Sequence, residues 1–278
     1  MKILILGAKG MLGQALVEEF KQGGHDVLAW GHDELDISDA ASVASKITSN
    51  IDVLVNAAAY NDIDGAEEHQ DDAMKVNAYP VGTLADICNM LGMVFVTFSS
   101  EHVFSGKDSK GYNEKSNVEP LSAFGASKRL AEKFALEDND QTYLIRTSRL
   151  FGPVGSSPNA KKSFIEKIQS AARERGSLQS VHDEVASPTY VIDLAKRVRE
   201  LVEQKKPFGV YHLTNSGFAT WFQWASKIVE LSKINAPVTA VARKDMPAAA
   251  VRPRYGMLVN TKTPALRSWE EALAEFLK

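Results

Sequence analysis

The segment KILILGAKGMLGQALVEEF, residues 2–20, decides the fold. Its apolar run 2–6 has the length and composition of a buried strand, and MLGQALVEEF (11–20) carries apolar residues at helical spacing. Between them stand Gly7, Gly10 and Gly13. Such a turn lets the backbone approach a pyrophosphate, and the N–H groups and positive dipole at the helix start attract its charge. The pattern predicts a dinucleotide site around Gly7, Gly10, Met11, Leu12 and Gly13. A tight strand–helix connection with no ligand is the bland alternative.

Working outward, HDVLAW (25–30), DVLVNAA (52–58), MVFVTFSS (93–100) and TYLIRTS (142–148) read as further strands. Helical patterns cover 64–91 and AFGASKRLAEKFAL (123–136). Strands alternating with helices imply right-handed crossovers and a parallel sheet covered on both faces. The expected class is α/β, a Rossmann-type doubly wound sheet. LFGPVGSSPNAKK (150–162) reads as a loop, followed by helices near 160–175, 190–204 and 220–232 and short strands near Gln179 and Val210. Residues 1–150 are therefore expected to form the dinucleotide-binding domain. Residues 151–278 should form mainly a smaller substrate-binding lobe beside the C-terminal edge of the sheet, with segments returning to the first part.

The 278 residues are 44% hydrophobic and 24% charged with a formal net charge of −3, so no basic excess exists to neutralise a phosphate backbone, and nucleic acid is not an expected partner. The single cysteine, Cys88, cannot close an internal disulfide and lies in the apolar stretch LADICNMLG, where a buried thiol is expected. MKILILG is too short for a signal-peptide core and no run approaches a membrane span, so a cytoplasmic protein without membrane contact is expected. The six histidines make no metal-ligand spacing, and no metal is predicted. At the end of the second strand Trp30 and Gly31 are neither acidic nor basic, while His32 and Lys9 favour a 2′-phosphate; NADP(H) is expected, with NAD(H) as second choice.

The G-x-x-G-x-x-G spacing resembles the short-chain dehydrogenase/reductase superfamily. NAAAY (56–60), FSSEHVFSG (98–106) and the F-x-x-x-K of Phe124 and Lys128 agree with it. ELDISD (34–39), VNAYPVGTLAD (76–86), EPLSAFGASKRLAE (119–132), YLIRTSRLFG (143–152), HDEVASPTY (182–190), GVYHLTNSG (209–217) and AAVRPRYGMLVNT (249–261) resemble, in order, blocks of the dTDP-4-dehydrorhamnose reductase family. The resemblance implies NAD(P)H-dependent reduction of the 4-keto group of a nucleotide-linked deoxysugar. It implies that Ser100 holds the keto oxygen and that Lys128 binds the nicotinamide ribose. It adds Asp36, Ile37, Ala57, Ala58, Ala59, Tyr60 and Asn77 to the cofactor site; Glu101, His102, Arg149 and Arg252, read from their own chemistry and position, are expected at the substrate site.

At position 124 the family carries a tyrosine that donates a proton; Phe124 keeps the ring and lacks the hydroxyl. Three explanations stand: an introduced Tyr→Phe change that traps a complex, an enzyme with another donor, or an NADP-binding regulatory subunit without turnover. Another nucleotide-sugar reductase or epimerase of the extended branch is a further alternative. Glu101 and His102 replace the usual Asp–Tyr pair, and Arg149 stands where a Trp is frequent. His102 is a replacement donor on its titration range, set against a locally bonded loop residue; neighbours on a strand would face opposite ways. Tyr60 and Tyr112 are other phenols near cleft loops. Arg252 and Arg254 are cations for a pyrophosphate; Arg146 and Arg149 lie nearer the reacting centre; ion pairing within the fold is the alternative for each. Trp221, Phe222 and Trp224 at helical spacing read as core or a partner surface. A homodimer is one open assembly state.

Overall fold

A computed structural model describes residues 1–157 and 163–278. Strands β1 (Lys2–Leu6), β2 (Asp26–Trp30), β3 (Val53–Asn56), β4 (Val94–Ser100) and β5 (Thr142–Thr147) are followed by β6 (Leu150–Phe151), β7 (Leu178–Val181), β8 (Val185–Ala186) and β9 (Thr189–Tyr190). Then come β10 (Gly209–His212), β11 (Ala219–Thr220), β12 (Val238–Val241) and β13 (Tyr255–Gly256). The helices are α1 (Met11–Gln22), α2 (Ala40–Lys46), α3 (Gly65–Glu68), α4 (Gln70–Asn77), α5 (Tyr79–Leu91), α6 (Ala123–Asp138), α7 (Phe164–Arg175), α8 (Val191–Glu203), α9 (Trp221–Leu231) and α10 (Trp269–Phe276). Six strands form one parallel sheet in the order β10-β5-β4-β3-β1-β2.

Alternation along β1 explains the layers. Ile3 and Ile5 face a core shared with Leu16 and Phe20 of α1 and with Val191, Leu194 and Val198 of α8. Leu4 and Leu6 face the opposite core with Val43, Leu84, Cys88 and Ala135. Both faces are dry, as a parallel sheet requires. Thus α8 and β10, from beyond residue 150, complete the central sheet and one of its covering layers. The remaining later elements gather around Phe151, Ile165, Trp224, Ile228 and Trp269.

Local chemistry sets the breaks. The helical stretch expected over 64–91 is three helices, because His69 leaves helical geometry (φ −124°, ψ 56°) and Pro80 can only start a helix at its first turn. Asp39 caps α2, a helix the sequence pattern had not suggested. Helices α7, α9 and α10 open with capping boxes, Ser163–Glu166, Thr220–Gln223 and Ser268–Glu271. The loop expected over 150–162 begins instead with the short strand β6; residues 158–162 lie outside the described residues. Cys88 is buried as expected, and burial pushes its thiol up to about 12. Among the described residues no helix is long and apolar enough to cross a membrane.

The strand order reverses at β1, which has β2 on one side and β3 on the other. In an open α/β sheet that reversal leaves a crevice outside the C-terminal strand ends.

Candidate active site

Two glycines of the first turn are required by close backbone approach. Gly7 has φ +72°, and a Cβ there would stand 2.6 Å from the Ala58 nitrogen. A Cβ on Gly13 would stand 2.1 Å from the Gly7 carbonyl oxygen. Gly10 differs: its Cβ would meet only that same oxygen, at 3.2 Å. Gly10 is also the N-cap of α1, and no side chain caps the helix. An uncapped helix start behind an uncrowded glycine fits a pyrophosphate.

The loop Ala57–Tyr60 faces this turn. It is held by Asn77, which donates to the Tyr60 carbonyl (3.0 Å) and to Ser127 Oγ (3.0 Å) and accepts from the Tyr60 N–H (2.8 Å). All three of those bonds are to protein and Asn77 is buried, so its role is to shape the loop. Leu12 and Ile37 send their side chains into the core. Asp36 accepts from the Ser38 N–H and hydroxyl. Lys9, read as a phosphate-favouring cation, lies 2.7 Å from Asp33 and 3.5 Å from Glu34, so its charge is already matched. His32 is exposed, 3.9 Å from Asp36. Val154–Ser157 lies across the turn: the Ser157 N–H donates to the Lys9 carbonyl, and a Cβ on Gly155 would be 3.0 Å from the Met11 nitrogen. Nothing in the linear pattern indicated that crossing.

The second group gathers where β4 ends and α6 begins. Residues 101–103 form a single 3₁₀ turn after β4, so the alternation that would set strand neighbours on opposite faces does not apply to Glu101 and His102. His102 Nε2 is 3.9 Å from Glu101 Oε1, and Ser100 Oγ donates to Glu101 Oε2 (2.7 Å). Ser122 caps α6, and Gly125 lets it come close, since a Cβ there would be 2.3 Å from the His102 carbonyl oxygen. The His102 and Phe124 rings therefore meet edge to face at 5.4 Å. One turn on, Lys128 Nζ lies 5.9 Å from the Phe124 centroid and donates to the Phe98 carbonyl at 3.4 Å. Burial pulls the Lys128 ammonium down to about 8, against the opposite pull of Glu132. Burial likewise lowers His102; Glu101 and Glu184 pull it up, while Arg252 and Arg149 push it down.

The Lys128 shift has a measurable consequence. The unfolded chain binds this proton more tightly, so folding stability rises with pH between about 8 and 10.5. Below pH 8 the buried charge costs roughly 3 kcal/mol as an upper bound, at about 1.36 kcal/mol per pKa unit. Lys128→Met is expected to be more stable than the parent at pH 7, with the difference closing towards pH 10.5. Urea unfolding at the two pH values measures it; equal midpoints at pH 7 would refute it.

The other cations are engaged. Arg146 is buried and grips Glu132 with two hydrogen bonds, 2.8 and 2.7 Å, so it is part of the framework under the site. Arg252, expected as a substrate clamp, is paired with both carboxylate oxygens of Asp64 at 3.1 and 2.7 Å. Arg149 adopts φ +43° and donates to the Ala219 and Glu184 carbonyls. Its guanidinium lies 3.9 Å over the Trp221 ring, and burial lowers it to about 10. Glu184, which sequence reading had not singled out, accepts from Trp221 Nε1 (2.9 Å) and from Arg243. Trp224 is core, Arg254 lies over Tyr255, and Tyr112 stacks on Phe104 at 4.3 Å. Asp64, Glu184 and Arg243 matter through side-chain partners 37 or more positions away, which no local pattern pairs.

The structure thus brings Ser100, Glu101, His102, Phe124 and Lys128 together and lays the glycine turn against Ala57 and Ala58. The family model described as RmlD substrate binding domain matches residues 1–278. The chain is 34% identical over 287 residues to a dTDP-4-dehydrorhamnose reductase of Streptomyces griseus, covering 98% of this chain and 91% of that protein. It is 32% identical over 282 residues to the spore coat polysaccharide biosynthesis protein SpsK of Bacillus subtilis (strain 168), covering 100% and 97%. A dTDP-4-dehydrorhamnose reductase of Bacillus anthracis str. Ames, solved in complex with NADP, superposes with a TM-score of 0.92 at 31% identity, covering 99% of this chain and 98% of that one. Matched from end to end, with the site's frame intact, this chain belongs to the RmlD substrate-binding-domain family of dTDP-4-dehydrorhamnose reductases.

Proposed function

We propose that this chain is an NADPH-dependent reductase of the keto group of a nucleotide-linked 4-keto-6-deoxysugar, acting in the cytoplasm in deoxysugar synthesis. The observation that carries the reading is that Lys128 bonds the Phe98 carbonyl of β4, two residues before Ser100, in a sheet whose β1 leads into the glycine turn and an uncapped α1. Membership of the reductase family and the NADP bound in the Bacillus anthracis relative support the choice of chemistry and cofactor. When bound, NADPH supplies the hydride.

The chain's own residues do the rest. Gly7, Gly10 and the first turn of α1 (Met11, Leu12, Gly13) hold the pyrophosphate by backbone. Ala57–Tyr60 lines the cofactor's flank under the control of Asn77, and Asp36 and Ile37 sit at its adenine end. Lys128, charged below about pH 8, donates to the nicotinamide ribose. Ser100 holds the keto oxygen once its hydroxyl turns from Glu101. Arg149 and Arg252 flank the sugar nucleotide, the latter by exchanging Asp64 for substrate oxygens. Residues 1–150 with α8 and β10 make the cofactor half, and the rest of 151–278 the sugar-nucleotide half.

Mixing the protein with NADPH and dTDP-4-dehydrorhamnose is expected to consume reduced nicotinamide, read by its absorbance. NADPH binding with no turnover, even after Phe124→Tyr, would favour the second reading, a cofactor-binding protein without catalysis. The absent hydroxyl at Phe124 is the one observation on that side.

A further inference from the structure

We propose that His102 delivers the proton to the substrate's keto oxygen, the task for which Phe124 has no group. The inference rests on the reductase reading of this site. Reducing a ketone requires two partners: the carbonyl carbon gains a hydride, and its oxygen must gain a proton as the π bond breaks. With hydride from the reduced nicotinamide and the proton from the His102 imidazolium, the products are a secondary alcohol, oxidised cofactor and neutral imidazole. Solvent returns the imidazole's proton between turnovers.

Geometry singles out His102. It is the titratable ring in edge-to-face contact with Phe124, 5.4 Å between centroids. Its backbone is locked to the start of α6, since a Cβ on Gly125 would strike the His102 carbonyl. The side chain is more than nine-tenths buried, and its Nδ1 has no hydrogen-bond partner among the described residues. Among the described residues six other buried side-chain polar atoms, His212 Nδ1 included, also lack a partner, but of these seven groups His102 is the one whose ring meets Phe124. Nδ1 is sealed from solvent, so a substrate oxygen would become its partner only as the ring turns towards the cleft. On the other edge of the ring, Glu101 Oε1 stands 3.9 Å from Nε2, while the carboxylate's second oxygen receives the Ser100 hydroxyl. That arrangement gives the protonated ring a counter-charge and ties it to the residue that holds the keto oxygen.

The rival donors are placed differently. Tyr112 is stacked on Phe104, and its hydroxyl oxygen accepts the Asp108 N–H. Lys128 donates to the Phe98 carbonyl and keeps its other N–H groups for the nicotinamide ribose. The charges facing His102 are Glu101, Glu184, Arg149 and Arg252, and burial dominates them, so its imidazolium titrates below the ordinary value of 6.5. The donor form is present below that point. Turnover should therefore fall as pH rises through an inflection below 6.5, before Lys128 loses its proton near 8.

The test compares parent, His102→Asn, Phe124→Tyr and the double variant with NADPH and dTDP-4-dehydrorhamnose. Each is also titrated with NADPH by nicotinamide fluorescence. His102→Asn is expected to lose about 10²–10⁴-fold in kcat, with NADPH affinity unchanged. Adding Phe124→Tyr to it should restore turnover, because the phenol then supplies the proton. Independently of turnover, the His102 imidazole nitrogen resonances should shift when the dTDP-linked alcohol product is added to the NADP-loaded parent. His102→Asn with parental kcat, a controlling inflection near 8, or resonances unmoved by product would each overturn the proposal. A parent that binds NADPH without turnover and gains it with Phe124→Tyr would overturn the donor assignment while leaving the reductase reading intact. Failure to bind NADPH at all would bring down both.

Discussion

Glu132→Ala is expected to destabilise the fold by about 3–5 kcal/mol, the cost of leaving a buried charge without its partner. The Glu132 and Arg146 side chains are 6% and 5% exposed. Glu132 takes both arms of the Arg146 fork and also the Ser99 hydroxyl at 2.5 Å. The third guanidinium nitrogen has only weak alternatives, the Glu114 carbonyl at 3.4 Å and His212 Nε2 at 3.3 Å. Burial first, and Arg146 second, hold His212 down to about 4, so at neutral pH it is an uncharged imidazole that cannot replace a carboxylate. Glu132→Gln keeps an acceptor for Ser99 and should lose less. The pair Glu132→Leu with Arg146→Met removes both charges and should fall within about 1 kcal/mol of the parent, because a buried ion pair stabilises little net of its desolvation. Urea unfolding reads all three, as midpoints at constant slope. A double variant as unstable as Glu132→Ala would show that hydrogen-bond geometry, rather than charge balance, dominates here.

Gly13→Ala should be the most damaging single methyl group at the cofactor turn. Its Cβ would fall 2.1 Å from the Gly7 oxygen and 2.9 Å from the Ala8 Cα, both backbone atoms that cannot swing aside. Helix α1 must then withdraw from β1, and the whole layer it shares with α8 goes with it. A loss of about 3 kcal/mol is expected, the upper range for overpacking a core, with NADPH affinity reduced at least about tenfold. Gly10→Ala provides the contrast. It meets only one atom, at 3.2 Å, so its stability should fall by less than about 1 kcal/mol. Its added methyl occupies the space through which a pyrophosphate approaches, so NADPH binding should still weaken. Thermal unfolding and fluorescence titration separate the two effects. Parental stability in Gly13→Ala would mean that the strand–helix contact relaxes more easily than its geometry indicates.

The legible parts of this chain were those written in short-range periodicity. The continuous apolar run Ile3, Leu4, Ile5 and Leu6, buried throughout, the glycine spacing and the strand–helix alternation are all short-range features. Pattern therefore sufficed for the doubly wound class, for the turn and for the main elements up to β5. The Phe124–Lys128 spacing likewise placed both on one face of α6, because four residues make about one helical turn.

Other features depended on distance through the fold. Val210 was expected as a short strand of the later part; that β10 extends the central sheet is a pairing with β5 that no local pattern specifies. For Arg252 and Arg149 the sequence left substrate binding and pairing within the fold both open, and their partners, Asp64 and the Ala219 and Glu184 carbonyls, come from segments far along the chain. Lys9 was neutralised by acids that only the β1–β2 crossing brings near. By itself the sequence determined the class of fold, the glycine turn and the kinds of side chain available for chemistry, since local sterics and hydrophobic period act over a few residues. Tertiary structure alone decided which charges are spent in ion pairs and which polar atoms, His102 Nδ1 among them, are buried without a partner among the described residues, because burial and partner choice are set by packing between distant segments.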